Sequence, residues 1–436
     1  MSASVRAASP VGILLGRGAW AVYLLIVGVL AFRFGSIRIA GQVVGLSDLA
    51  FLVAATLFGG ASLLRGVKVR SLSVYWPMLA YAAAMGLSIL VSAEPKRSLI
   101  KFAGEIYLLA LAFLGMNLIT TEARLRSVVR VWLSVTGLSV VACALGVAIF
   151  YLGVRERAVN LVLWNYGSLP PGNYPRLYGF FTNGNMFCNY LIVSVLITLA
   201  ALYRRFISRL AAACLLLLTA AAAAFTFSTG IGGIALGAGL WLWLETRGTS
   251  NARLGRLALG TGALLATALF AATTVSLSGS FAPSVRILVW KDALRTFLQH
   301  PVLGKGVGTD PVNVSWVVPS GIQENLTEAH NVVLSVAAQE GIVGLSAFGW
   351  LMVHLLRSWR LRSWNTGEAG VWPRALGCAL VGSLGYQGLS GAFEDARHIW
   401  VLIGLLVAAL HFPTSKGTVP SSSPAGSLPT AASESH

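Results

Sequence analysis

Acidic residues are scarce: 15 Asp and Glu stand among 436 residues, and all charged residues together make up 11% of the chain. Soluble domains carry about a quarter charged residues, so an ordinary soluble protein of this length is excluded. Cysteine is equally sparse. Cys143, Cys188, Cys214 and Cys378 fall inside or at the edge of apolar runs, with no CxxC pair and no neighbouring histidine, and read as small core residues. There is no DxD and no HExxH, so the usual spacings of a divalent-metal site are missing and no metal or cofactor is expected. The residue-by-residue alternation that a transmembrane barrel requires is missing too.

What the chain has in excess is apolar length. Hydrophobic residues reach 56% and the mean hydropathy is +0.75. Apolar runs of about 17 to 25 residues, separated by short basic connectors, mean membrane-spanning helices, because only helices and closed barrels satisfy their backbone in lipid. The sequence predicts an all-α polytopic membrane protein with twelve spans, at about residues 13–32, 43–64, 74–92, 100–118, 128–152, 185–203, 207–226, 230–245, 255–276, 331–356, 373–391 and 397–412. No small-residue cleavage pattern follows the first run, which is kept as a span.

Basic clusters recur at every second crossing: Arg65, Lys68 and Arg70; Arg124 and Arg126; Arg204, Arg205 and Arg209; Arg247, Arg253 and Arg256; Arg357, Arg360 and Arg362. The positive-inside rule assigns these connectors and both termini to the cytoplasm, and it accounts for much of the net charge of +17 without a nucleic-acid partner. Residues 1–412 are expected to form one integral membrane domain. The tail 413–436, rich in Pro, Ser, Gly and Ala, is expected to be disordered.

Two connectors on the opposite side are long, about 153–184 and 275–330, and function is expected there. The first holds Trp164, Tyr166, Tyr174 and Tyr178 with Arg155, Arg157 and Arg176. It reads either as an interfacial aromatic belt with snorkelling arginines or as aromatic faces beside a cation, which suit sugar rings carried on phosphate. In the second, Ser284 to Gln299 has helical apolar spacing with Arg286, Lys291, Asp292 and Arg295 between, predicting a short amphipathic helix along the membrane surface. His300-Pro301 stops it, and Gly304, Gly306 and Gly308 predict a flexible turn. This GxGxG follows no strand and opens no helix, so it is not read as a nucleotide loop.

His330 stands where this loop enters the tenth span, two residues after Glu328 and beside Asn331. A neutral imidazole accepts a proton near neutral pH, and guanidinium groups such as those of Arg286 and Arg176 clamp phosphate oxygens. Glycoside hydrolysis ordinarily needs two carboxylates, because a sugar alkoxide leaves poorly. A sugar on diphosphate leaves as a stabilised anion, so one base and a few cations suffice. The turn holding Glu394, Asp395, Arg397 and His398 reads as a solvated charged turn or, alternatively, as lining for an acceptor cavity.

Four motifs in order, RxxxW (Arg286, Trp290), HPxxGxG (His300 to Gly306), EAHNxxL (Glu328 to Leu334) and EGIVG (Glu340 to Gly344), resemble the bacterial O-antigen ligase and polysaccharide polymerase superfamily. RLYGFFTNGN, from Arg176 to Asn185, is similar to its other signature, and the ligase-like core covers about 176–350. The resemblance implies a membrane-embedded glycosyltransferase of the GT-C type, inverting and metal-independent, in the bacterial inner membrane. Such an enzyme moves a glycan from undecaprenyl diphosphate to an acceptor hydroxyl on the periplasmic side; ligases use the lipid A core as acceptor, polymerases another repeat unit. It implies His330, as base, and Arg286 as catalytic residues, Arg286 and Arg176 as contacts to the donor diphosphate, and Glu328, Asn331, Trp290 and Asn185 as acceptor or supporting residues. Where the family has Ser-Arg-Gly after a very short outer turn, this chain reads FSTGIGGIAL, with Thr229 at the arginine position and Arg176 the candidate substitute. A secondary transporter is the reading from another class. Spans nearly free of mid-membrane charge and without an internal repeat favour the enzyme.

Overall fold

Helix starts follow local chemistry. Pro10 and Pro95 open two helices at a position where no N–H is needed, and the side chains of Thr121, Asn183, Ser208 and Asn331 accept the free N–H groups of four others. The computed structural model describes residues 9–32, 37–39, 42–64, 66–153, 162–169, 172–274, 285–317, 323–364, 367–390 and 396–412. Over these the chain forms α1 (Pro10–Val29), α2 (Leu46–Leu63), α3 (Tyr75–Ile89), α4 (Pro95–Leu118), α5 (Glu122–Tyr151), α6 (Gly184–Tyr203), α7 (Arg209–Phe225), α8 (Gly230–Thr246), α9 (Ala252–Thr274), α10 (Val285–Gln299), α11 (Val332–Ser363), α12 (Val371–Ser390) and α13 (Arg397–Leu410). Every expected span coincides with a helix, and α10 is the expected amphipathic one. Among the described residues α1, α2, α4, α5, α6, α9 and α11 are long and apolar enough to cross a membrane.

The protein is an all-α polytopic membrane protein, with small hairpins in three connectors. These hairpins, β1 (Ile37–Ile39) with β2 (Gln42–Val44), β3 (Leu163–Leu169) with β4 (Gly172–Leu177), and β5 (Val314–Val317) with β6 (Gln323–Leu326), are antiparallel and not anticipated from the sequence. The tail after residue 412, Arg155, Arg157, Glu394, Asp395 and the side chains of Trp164, Tyr166 and Tyr174 lie outside the described residues.

Small residues let the helices approach. A Cβ on Gly239 would sit 2.5 Å from the Ala258 carbonyl oxygen and one on Gly262 2.4 Å from that of Ala235, so α8 and α9 pack backbone to backbone. Polar contacts then sort the connectors into two ends. At one end Arg70 donates to the carbonyls of Met116 (3.2 Å) and His411 (2.7 Å), Arg204 pairs with Glu122 (3.2 Å), Phe206 meets Trp372 edge-on, and Arg247 lies over the Trp364 ring. These are the arginine-bearing connectors of the sequence. At the other end Asp48 takes two hydrogen bonds from Arg397 (3.0 Å each), Phe32 stacks on Phe180, and Arg97 pairs with Asp310.

The spans hold more charge than the sequence reading expects. Glu105 and Glu340 are each 4% exposed, and Arg374 clasps Glu245 through Nε–Oε1 (2.6 Å) and Nη2–Oε2 (3.0 Å), tying α12 to α8. Glu245 is the charged partner of this buried guanidinium, which also donates to the Ser363 carbonyl (3.2 Å). Glu245→Ala takes the counter-charge from a buried guanidinium and is expected to cost about 3–5 kcal/mol, read as a clear drop in apparent Tm.

α11 is broken inside its span at Gly341, whose φ of 67° and ψ of −162° leave the helix. The segment Pro301–Gly306 closes the gap. The N–H groups of Ile342 and Val343 donate to the carbonyls of Pro301 (2.8 Å) and Val302 (3.3 Å), while Lys305 and Gly306 donate to the carbonyls of Ala338 (2.9 Å) and Gln339 (2.9 Å). Gly304 and Gly341 are needed twice over: both have positive φ, and a Cβ would lie 2.2 Å from the Gln339 backbone in one case and 2.3 Å from the Val302 carbonyl oxygen in the other. The glycine-rich stretch is therefore a pinned splice rather than the flexible turn its composition predicts.

Candidate functional site

Two groups of predicted residues form at the end of the bundle opposite the basic connectors. The first is built by α10 and the entry to α11. Val289 and Ala293 of α10 pack with Val312 and Ala329 into a small core separate from the main one, and Trp290, Val314, Leu326 and Leu334 close around it. This core presses α10 against the turn Ala329–His330–Asn331. Trp290 also stacks on Phe270 of α9 (centroids 5.8 Å apart, 18° between planes), so it packs rather than presents a free face.

His330 is held in a backbone conformation that a histidine rarely adopts, with φ of 48°. A non-glycine residue there costs about 1–3 kcal/mol and persists only when its neighbours enforce it. The enforcement is visible on both sides. Ala329 is buried at 1% exposure, and the Asn331 side chain caps α11 by accepting from the N–H groups of Val333 (3.0 Å) and Leu334 (3.2 Å). Asn331 is thus the N-cap of α11.

The imidazole is half-buried, with Nδ1 3.6 Å from the Glu328 Oε2, while Glu328 itself is well exposed. Its pKa lies below the ordinary 6.5, first because burial disfavours the charged ring and then because the Arg286 guanidinium repels it; Glu328 pulls the other way. Glu328 and Arg286 thus both act electrostatically on the His330 ring, and the net effect favours its neutral form.

The second group belongs to β4, α6 and the turn before α8. Arg176 of β4 donates through Nε to the Thr226 carbonyl (2.8 Å) and through Nη2 to the Asn185 Oδ1 (3.2 Å). That turn leads straight to Thr229, so the Arg176 guanidinium is anchored three residues before the position that lacks an arginine. Between α8, α9 and α12 lies a cavity of about 250 Å³ lined by Thr229, Gly233, Ala266, Phe270 and Tyr386 among others. Phe270 is shared between this cavity and the Trp290 stack, which sets the cavity beside α10. Sequence reasoning missed it, because it forms only where the consecutive helices α8 and α9 meet α12, much later in the chain.

Arg397 and His398, read from sequence as a charged turn, lie at the start of α13. Arg397 is spent on Asp48, and His398 is 1% exposed with its ring set edge-on to Phe181 (5.8 Å) and Tyr190 (6.1 Å). A fully buried ring lines no open cavity. Among the described residues no cluster of three or more His, Cys, Asp or Glu is placed to hold a metal ion.

Residues 184–349 match the O-antigen ligase family model. Over that segment the chain is similar to O-antigen ligases. The matched segment contains Asn185, Arg286, Trp290, Glu328, His330 and Asn331, and Arg176 precedes it. The chain is also 29% identical over 289 residues to a protein from Pseudomonas aeruginosa described as an O-antigen ligase. That alignment covers 65% of this chain and 64% of the relative's length.

Proposed function

We propose that the protein is an O-antigen ligase-like membrane glycosyltransferase of polysaccharide biosynthesis. It moves a glycan from undecaprenyl diphosphate to an acceptor hydroxyl on the periplasmic side of the bacterial inner membrane, with both termini in the cytoplasm. The observation that carries the reading is the half-buried imidazole of His330, close to Glu328 and within the electrostatic reach of Arg286, in the segment similar to O-antigen ligases. The segregation of basic connectors to the far end of the bundle supports the orientation.

In this reading Glu328, next to Nδ1, favours the tautomer with hydrogen on that nitrogen and leaves Nε2 free to accept. Nε2 takes the proton of the acceptor hydroxyl as its oxygen attacks the anomeric carbon. The bond from that carbon to the phosphate oxygen breaks, and undecaprenyl diphosphate leaves with the electron pair. Attack opposite the leaving group inverts the anomeric centre. Arg286 neutralises the charge growing on the diphosphate, and Arg176 is its companion cation near Thr229. No step calls on a metal. The cavity beside Trp290 and Phe270 offers apolar walls to the lipid part of the donor, and membrane lipids surround the rest.

Thr229 favours a second reading, a repeat-unit polymerase of the same superfamily, because the arginine of the ligase pattern is not there. One experiment separates the two. Purified protein is incubated with an undecaprenyl diphosphate-linked repeat unit, with and without lipid A core, in EDTA. The ligase reading expects a larger product only when lipid A core is added; a ladder from donor alone means polymerase. Activity lost to EDTA and restored by a divalent cation overturns the metal-independent mechanism, and no product in any lane, with uptake of the donor into vesicles instead, returns the transporter.

A further inference from the structure

The splice at Gly341 does more than repair a helix. α10 runs directly into Pro301–Gly306, and the segment from Val332 to Glu340 ends at the same joint. The two helical segments that flank the site therefore spring from one point and pack together beyond it through Val289, Ala293, Val312 and Ala329. Arg286 lies near the free end of one, and His330 just before the free end of the other. α10 alone is 15 residues, so a small tilt at the joint is magnified along a lever of about 20 Å.

The joint is fastened to the rest of the bundle by side chains. The Gln339 Oε1 accepts the Gly308 N–H (2.7 Å), and its Nε2 donates to Ser335 (2.8 Å). The Ser88 hydroxyl of α3 accepts the Val307 N–H (3.1 Å), and Ser88 is fully buried. Gly306 and Gly308 sit so close to Ser92 and Lys101 that a Cβ on either would collide at 2.5 and 2.4 Å. The loop is thus wedged between α11 and the α3–α4 corner.

Resting on the glycosyl-transfer reading above, we infer that Gln339 and Ser88 are positioning residues: through the spliced joint they fix the separation of the His330 imidazole and the Arg286 guanidinium. Neither touches substrate. Their effect on rate comes from holding base and cation in one geometry, where displacement of about 1 Å costs on the order of a hundredfold.

The depressed basicity of His330 supplies a readout that a general loss of stability does not move. The charged groups acting on the ring are Glu328 of its own turn and Arg286 of α10, while Asp292 on α10 is engaged with the Asn313 N–H (2.8 Å) and Arg295. Loosening the joint lets water reach the ring and moves Arg286 away, and both changes raise the pKa.

The test uses the full chain in detergent or nanodiscs, with Gln339→Met, Ser88→Ala and the conservative Ser88→Thr. We expect Gln339→Met and Ser88→Ala to lower kcat by at least about tenfold with little change in KM. The acid limb of their kcat–pH profiles moves to higher pH, and Ser88→Thr, which keeps the hydroxyl, restores both. Hydrogen exchange is read in parallel: faster exchange is expected not only at 301–308 and 338–343 but also across α10 and residues 329–334. An unmoved pH limb with exchange unchanged at α10 and 329–334 overturns the inference, whatever the loss of activity. If His330→Asn proves fully active, the base assignment falls by itself, and the exchange pattern still decides whether the joint governs the arm.

Discussion

His330→Ala is expected to slow transfer by about a hundred- to ten-thousandfold, the range for removing a general base, while the protein still inserts and folds. The imidazole belongs to neither hydrophobic core, and its side chain retains 39% of its exposure. The backbone strain at this residue is a separate concern, because alanine tolerates a left-handed conformation less well than asparagine does. His330→Asn is therefore the companion variant, keeping the turn while removing the base. Equal losses in both, with unchanged apparent Tm in the asparagine variant, assign the loss to chemistry; wild-type turnover in the asparagine variant removes His330 from the mechanism.

The wild-type pH profile carries a further sign. Since burial and Arg286 lower the pKa of His330, the base stays unprotonated down to a pH below the ordinary histidine range, and rate falls only as pH drops through that lowered value. Glu328 is the group acting in the opposite direction, so Glu328→Gln is expected to move the acid limb to still lower pH. A limb that moves upward contradicts the pairing at Nδ1.

The span pattern was legible because apolar run length and connector charge are local quantities. α1 to α9 and α11 to α13 could be located from them, and α10 announced itself by the periodicity of Val285, Leu288, Val289 and Leu294. The break in α11 was not legible, since Gly341 within an apolar run is compatible with an unbroken span; what breaks the helix is the carbonyls and N–H groups of Pro301–Gly306, brought in from another part of the chain. The same reason hid the buried charges. Glu245 and Arg374 read separately as the ends of two spans, and only packing of α8 against α12 makes them a pair. For the site, the motif order picked out Arg286, Trp290 and His330 together, but not the contacts that hold Trp290 and Asn331 in place. Contact with Phe270 and the small core makes Trp290 a packing residue, and the hydrogen bonds of Asn331 make it a cap. Arg176 was legible as a candidate but its anchor on the Thr226 carbonyl was not, because that bond joins a hairpin to a turn fifty residues away.

Arg286→Ala is expected to lower kcat/KM for the lipid diphosphate donor by about a hundred- to a thousandfold, the cost of deleting one donor to a developing anion. Two effects combine in that loss, and they separate in the kinetics. A contact made equally to bound donor and transition state raises KM alone, whereas neutralising charge that appears only as the diphosphate departs lowers kcat. Arg286→Lys keeps the charge but loses the planar fork, so it should recover only part of the rate. The same substitution to alanine removes the cation that depresses the His330 pKa, and the residual activity should show its acid limb at higher pH than wild type. That displacement is what links the two residues as one site. A fall in rate with no displacement places Arg286 on the donor but away from the base, and unchanged kinetics with the lipid diphosphate donor removes it from the site altogether.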